Sequence, residues 1–220
     1  MPKTDPAREA LLTALEASGV SIPLWDGILI EETVRIAPGA TMLPGCVLRG
    51  NTTIAAGSVI GPGSVLTDAV IGKNCTVKNT YITESTLEEN VSIGPFSQVR
   101  PGCHIAAGCK IGDFVEVKNS HIGQKTAIAH LTYVGDTDCG SGVNFGCGVA
   151  IANFNGKEKF RTTIGDGAFL GCNTNLVAPV TIGAGAYTAA GSTGVTDRME
   201  AAQTVLEAAG RQVSRCRPMD

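Results

Sequence analysis

The chain has 220 residues, a formal charge of −3 at pH 7, 28 glycines and only 5% aromatic residues. That balance excludes nucleic acid as the main partner, since binding a phosphate backbone needs a basic surface. No run reaches the ~20 apolar residues of a membrane span, and the opening MPKTDPARE lacks the apolar core of a secretory signal, so we expect a cytoplasmic protein with no membrane partner.

In chain order, Asp5 and Pro6 predict a helix cap and first turn, with the helix running to about Ser18 and Gly19 as its stop. Leu11, Leu12 and Leu15 form its apolar stripe. Residues 1–19 are therefore assigned to this helix. From residue 20 a repeat takes over. Aliphatic residues recur every six positions at Ile36, Met42, Leu48, Ile54, Ile60 and Leu66, and resume at Ile93, Val99, Ile105, Ile111 and Val117. The run continues through Ile122, Ile128, Val134, Cys139, Phe145 and Ile151, then through Ile164, Leu170, Leu176 and Ile182. A small or β-branched residue follows four places later, as at Cys46, Ser58, Cys103 and Thr126. A period of six fits neither a helix nor an alternating strand. It predicts an all-β coil with three flat sides, six residues each and 18 per turn, over residues 20–195. Eight cysteines would suggest disulfides in a small secreted protein. Here Cys46, Cys75, Cys103 and Cys109 fall at the small inward position and Cys139 at an aliphatic one, which reads as buried free thiols. Residues 153–161 interrupt the coils as a loop with turn chemistry and two exposed aromatics, Phe154 and Phe160. Residues 196–220 lose the period and form an irregular arm.

Stacking coils about 4.8 Å apart makes residues one turn apart vertical neighbours. Arg100 and Lys118 each follow an aliphatic directly and share a column with Gly135 and Ala152. Two cations at that spacing repel by about 3.5 kcal/mol at an effective dielectric of 20, which points to an anion between them, with phosphate as the candidate. Splayed, solvated side chains are the plain alternative. A second column carries His130, Cys147, Cys172 and Ala190. This places a histidine at the head of a strip of small side chains, and histidine is the residue type suited to deprotonating an amine nucleophile near neutral pH, with Glu116 and Tyr133 expected beside it. Both columns are expected on one shared wall. A third column, His104, His121 and Asp138, could be arranged for zinc but reads as a solvated polar ladder, so no metal is expected.

The segments Val99-Arg100-Pro101-Gly102, Phe114-Val115-Glu116-Val117-Lys118, Ala129-His130-Leu131-Thr132-Tyr133-Val134-Gly135-Asp136, Asn153-Phe154-Asn155-Gly156 and Leu176-Val177-Ala178-Pro179 together resemble a known family. It is the acetyltransferase domain of the bifunctional N-acetylglucosamine-1-phosphate uridylyltransferase/glucosamine-1-phosphate acetyltransferases, and the match covers about residues 19–195. The resemblance implies a left-handed parallel β-helix, which the right-handed crossover rule would not have suggested, and a homotrimer with sites between subunits. It implies His130 as general base, and Arg100, Lys118, Tyr133, Asn144 and Lys159 as ligands of the sugar phosphate. It places Asn153 and Phe154 in a loop over the site. It lines acetyl-CoA, the co-substrate, with Cys147, Asn153, Phe154, Cys172 and Ala190, and sets Arg211 near its phosphates. The first 20 residues hold no glycine-rich nucleotide-binding signature, so uridylyl transfer is not expected of this chain. Phe154 stands where the family has tyrosine and Cys172 where it has serine, which leaves another amino sugar or sugar nucleotide open as acceptor. A catalytically silent trimeric scaffold and a metal-dependent hydratase are the readings from other classes.

Overall fold

The computed structural model describes residues 5–194 and, beyond them, the backbone of the strands Arg198–Met199, Glu207–Ala208 and Arg211–Gln212. The arm expected over residues 196–220 otherwise lies outside the described residues.

The helix spans Pro6–Ala17. The Asp5 carboxylate accepts from the amides of Ala7 and Arg8 at 3.1 and 3.3 Å, satisfying donors that have no partner within the helix. Gly19, at φ +96°, takes the left-handed turn that ends it. Leu12 is fully buried with Val20, Ile22 and Ile28, while Leu11 and Leu15 pack at the margin. The Arg8 guanidinium donates to the carbonyls of Ile28 and Trp25, tying the helix to the first coil.

From residue 20 to 194 the chain is a left-handed parallel β-helix of about nine turns. Every third strand pairs, so the chain winds over three parallel sheets. The first sheet runs from Leu29–Ile30 to Thr193–Gly194, the second from Arg35–Ile36 to Arg198–Met199, and the third from Thr41–Met42 to Tyr187–Thr188. The inward ladder Leu48, Leu66, Ile82, Val99, Val117 and Val134 is in register rung by rung, and each member is buried.

The coils do not stop where the six-residue period lapses. Ile71, Val77, Ile82 and Leu87 continue the buried core through residues 67–92, in steps that are often five residues instead of six. The left-handed corner residues Asp68, Asn79 and Glu84, at φ 50°, 44° and 43°, follow their aliphatic after one residue where a longer side has two. Asp and Asn tolerate this conformation through local hydrogen bonding. Coils here hold 16 or 17 residues, so 18 per turn is an upper value only for coils without the inserted loop, which lengthens its own coil to 25 residues.

Cys46, Cys75, Cys103, Cys109 and Cys139 are buried and free, whereas Cys147 is half-buried and Cys172 exposed. Burial pushes the Cys46 thiol up to about 11 and the Cys139 thiol up to about 12. The inward hydroxyl of Ser58 is satisfied by the next coil: it donates to the Gly72 carbonyl at 2.7 Å and accepts from the Cys75 amide at 2.9 Å. Only the thiolate reacts with alkylating agents, so iodoacetamide on the native protein at pH 8 should label Cys172 and then Cys147. The five buried thiols should react only after unfolding, as read by peptide mass spectrometry.

Candidate active site

One column of polar and small side chains rises along the corner between the third and first sheets. Asp113 and His130 are paired in register, each two residues beyond an inward isoleucine. Backbone bonds carry the column upward: Gly148 donates to the His130 carbonyl at 3.3 Å, Asn173 to Cys147 at 2.8 Å and Gly191 to Cys172 at 2.7 Å. His130, Cys147, Cys172 and Ala190 therefore do stack, as the spacing predicts. Glycines keep the rungs close: a Cβ on Gly112 would come within 1.8 Å of the Ala129 carbonyl oxygen. The amides of Cys172 and Ala190 donate to no other group among the described residues.

His130 is exposed, and its Nδ1 lies 2.6 Å from Oδ1 of Asp113. That hydrogen bond holds the Asp113 carboxyl below the usual carboxylate range. An ionised carboxylate only accepts, so the neutral imidazole presents Nδ1–H to it and leaves a lone pair on Nε2. Glu116 and Tyr133 are not the partners of His130: Glu116 is bound by Arg100 at 2.9 Å, and the Tyr133 hydroxyl lies over Gly135. The column rule that selected His130 also selects Asp113, 17 residues earlier. Beside His130 lies a pocket of about 260 Å³ lined by Ser92, Gly94, Lys110, Ile111, Gly112 and Ala129. Asn144 stands on the same sheet, in register with Ala127 and Phe169.

The cations gather at the far edge of the first sheet. Lys118 is in register with Gly135, and Arg100 sits one coil earlier. Lys159 comes from the inserted loop, which folds back through a bridge between Phe154 and Lys159 and an Asn155 side chain that accepts from Lys157 and Glu158, both at 2.9 Å. The Lys118 amine is held below its ordinary pKa, first by the close approach of the Lys159 amine, then by desolvation and the Lys159 charge. Phe154 is exposed, whereas Phe160 is half-buried and not the exposed ring expected.

Beneath the cations lies the buried carboxylate of Asp136, which accepts from Asn119 Nδ2 at 2.5 Å and from Asn153 Nδ2. Burial acts to raise its pKa, but those two donors and the charges of Lys118 and Lys159 outweigh it and leave the carboxyl below its usual range. Asn153 is thus a buried anchor of the loop, its amide committed to Asp136. Arg161 ties the other end of the loop to Asp138, with Nε 2.8 Å from Oδ2. Gly135 is needed here, because a Cβ would stand 2.4 Å from the Tyr133 hydroxyl and 2.7 Å from Asn153 Nδ2.

Arg100, Lys118 and Tyr133 on the first sheet are therefore brought together with Lys159 of the inserted loop. His130, Asn144, Cys147, Cys172 and Ala190 belong to the third sheet and its corner. The two sets occupy adjacent walls of one chain and not the single wall expected, because the corner at Leu131 turns the chain between them. The Arg211 side chain lies outside the described residues. In the third column His104 and His121 are in register with Asp138, but each imidazole has its own carboxylate: Glu88 for His104 at 2.9 Å and Asp138 for His121 at 3.1 Å.

A family model described as "Bacterial transferase hexapeptide (six repeats)" matches residues 84–119. The chain is 44% identical over 186 residues to the "Bifunctional protein GlmU" of Brevibacillus brevis, covering 84% of this chain and 40% of that protein. With the GlmU protein of Clostridium acetobutylicum the identity is 45% over 168 residues, 76% of this chain and 37% of the relative. The chain spans about two fifths of the length of these curated relatives. Among solved structures, the UDP-N-acetylglucosamine O-acyltransferase (LpxA) of Moraxella catarrhalis matches with a TM-score of 0.52 at 16% identity, over 79% of this chain and 69% of that one. That likeness speaks for the fold.

Asp136→Ala should leave two buried amides without acceptors and cost about 3 kcal/mol at pH 7. The folded pKa of Asp136 lies below that of the unfolded chain, about 3.9. Its contribution is thus complete above pH ~4 and lost as pH falls through the lowered value. Denaturant melts at pH 7 and pH 2.5 should show the gap between the two proteins narrowing in acid.

Proposed function

We propose that the chain, which matches a bacterial transferase hexapeptide model over residues 84–119 and is related over most of its length to part of the GlmU proteins, is an acetyl-CoA-dependent N-acetyltransferase acting on glucosamine-1-phosphate or a related amino-sugar phosphate. The observation that carries this reading is the His130 column: an oriented imidazole at the foot of a strip of small side chains, with a cation cluster at the neighbouring edge. Arg100, Lys118 and Lys159 hold the phosphate, with Tyr133 and Asn144 positioning the sugar. Nε2 of His130 takes a proton from the amine as its nitrogen attacks the thioester carbon. The tetrahedral intermediate collapses to the amide and the coenzyme A thiolate, which leaves with the proton returned from His130. The uncommitted amides of Cys172 and Ala190 face the developing oxyanion, a contribution of ~3 kcal/mol per donor. Cys147, Cys172, Ala190 and Phe154 line the co-substrate, with Asn153 fixing the loop and Arg211 assigned to its phosphates. The transfer uses no metal, and a cytoplasmic location goes with it.

A homotrimer belongs to this reading. One chain keeps the imidazole and the cations on different walls, so a site using both closes where a second copy adjoins. Phe96, Phe114 and Leu131 stand exposed along the dividing corner, with the two phenylalanine rings stacked at 5.5 Å. A contiguous apolar ridge of this kind fits burial against another copy. The replacement of tyrosine by Phe154 and of serine by Cys172 favours a second reading, in which the acceptor is a different amino sugar or sugar nucleotide.

A thiol-release assay with acetyl-CoA and glucosamine-1-phosphate, extended to a panel of amino sugars, tests the proposal. His130→Ala should cut transfer by ~10²–10⁴ without altering the circular dichroism spectrum; an unchanged rate removes His130 from the mechanism. Replacing Arg100 and Lys118 together by alanine should raise KM for the phosphorylated acceptor at least tenfold while leaving KM for acetyl-CoA in place. Sedimentation velocity should give a trimer; a monomer that transfers acetyl groups at full rate refutes the shared site.

A further inference from the structure

We infer that Asp113 is the positioning residue of His130, fixing the imidazole as the Nδ1–H tautomer so that Nε2 carries the lone pair. The inference rests on the proposed acetyl transfer for its kinetic consequence, but on geometry alone for the orientation.

The parallel register sets Asp113 against His130, and their side chains meet at 2.6 Å. No other residue hydrogen-bonds that carboxylate among the described residues. The remaining groups around the imidazole do not compete for Nδ1. Lys110 lies across the pocket and only donates. Cys147, one coil above, is a weak donor, and Glu116 is held by Arg100. The pair is substantially exposed, with side chains 57% and 38% accessible, and ion pairs so open to water add little to stability. What the contact does accomplish is rotational: it locks one ring flip and one tautomer of a side chain that is otherwise free in solvent.

The chain has three histidines, so its imidazole nitrogens are countable in a ¹⁵N-histidine spectrum, and His130→Ala identifies the relevant signals. At pH 8.5 the wild type should show His130 mainly as Nδ1–H. Asp113→Asn is nearly isosteric but turns an NH₂ toward Nδ1, which should reverse the ratio to mainly Nε2–H. In acetyl transfer, Asp113→Asn should lower kcat at least tenfold and shift either KM by less than twofold, and Asp113→Glu should recover part of the loss. An unchanged tautomer ratio in Asp113→Asn overturns the inference, as does an undiminished kcat. If the wild type transfers no acetyl group at all, the proposed function fails, and the spectrum alone still decides the orientation.

Discussion

The rung-to-rung hydrogen bond between successive coils governs everything else in this molecule. Each backbone amide on a side reaches the carbonyl one coil away, as in Arg100 to Val117 at 2.8 Å or Gly123 to Cys139 at 2.8 Å. The bond fixes the vertical spacing near the ~4.8 Å of any β-ladder and leaves no freedom for a coil to slide. Residues 16 to 18 apart in sequence, or 25 apart across the coil that carries the insertion, become nearest neighbours, and the chemistry of the surface is organised in columns. A glycine such as Gly112 is required where two backbones approach within Cβ contact, and a thiol or hydroxyl such as Cys46 or Ser58 is tolerated inside where the next coil offers it a carbonyl.

The same constraint explains why charged groups accumulate without cancelling. Lys118 and Lys159 approach each other although both are cations, and the Lys118 amine shifts downward in consequence. The arrangement persists because Asp136 lies beneath them, buried and held ionised by two asparagine amides. One buried carboxylate thus moors the inserted loop and offsets part of the repulsion above it, leaving a surplus of positive charge directed outward. A surface of that kind is preorganised for an anion. Around the corner, Asp113 and His130 form a second polar pair on a different wall, separated from the cations by the width of one sheet.

Much of the architecture was legible in the residues because a period of six survives substitution. Ile93, Ile111 and Ile128 mark the same ladder whatever lies between them, and Cys46 or Ser58 reads as an inward position from its offset alone. The stretch from 67 to 92 was not legible by that rule. A corner that drops one residue, as at Asp68, Asn79 and Glu84, breaks the count while the fold continues undisturbed. Asp113 carries the same signal as His130, since each stands two residues beyond an inward isoleucine on adjacent coils. The mooring role of Asp136 had no such signal, because Asn119 and Asn153 are brought to it by the fold of the loop.

The sequence by itself determined the coil, its three-sided cross-section, the burial of five cysteines and the vertical order of the functional columns, because alternation and repeat length are local properties. Only the tertiary structure decided which wall each column occupies, where Lys159 lands and which carboxylate meets the imidazole. Those outcomes depend on how a corner turns and how a nine-residue insertion returns, and both are fixed by hydrogen bonds between residues far apart along the chain.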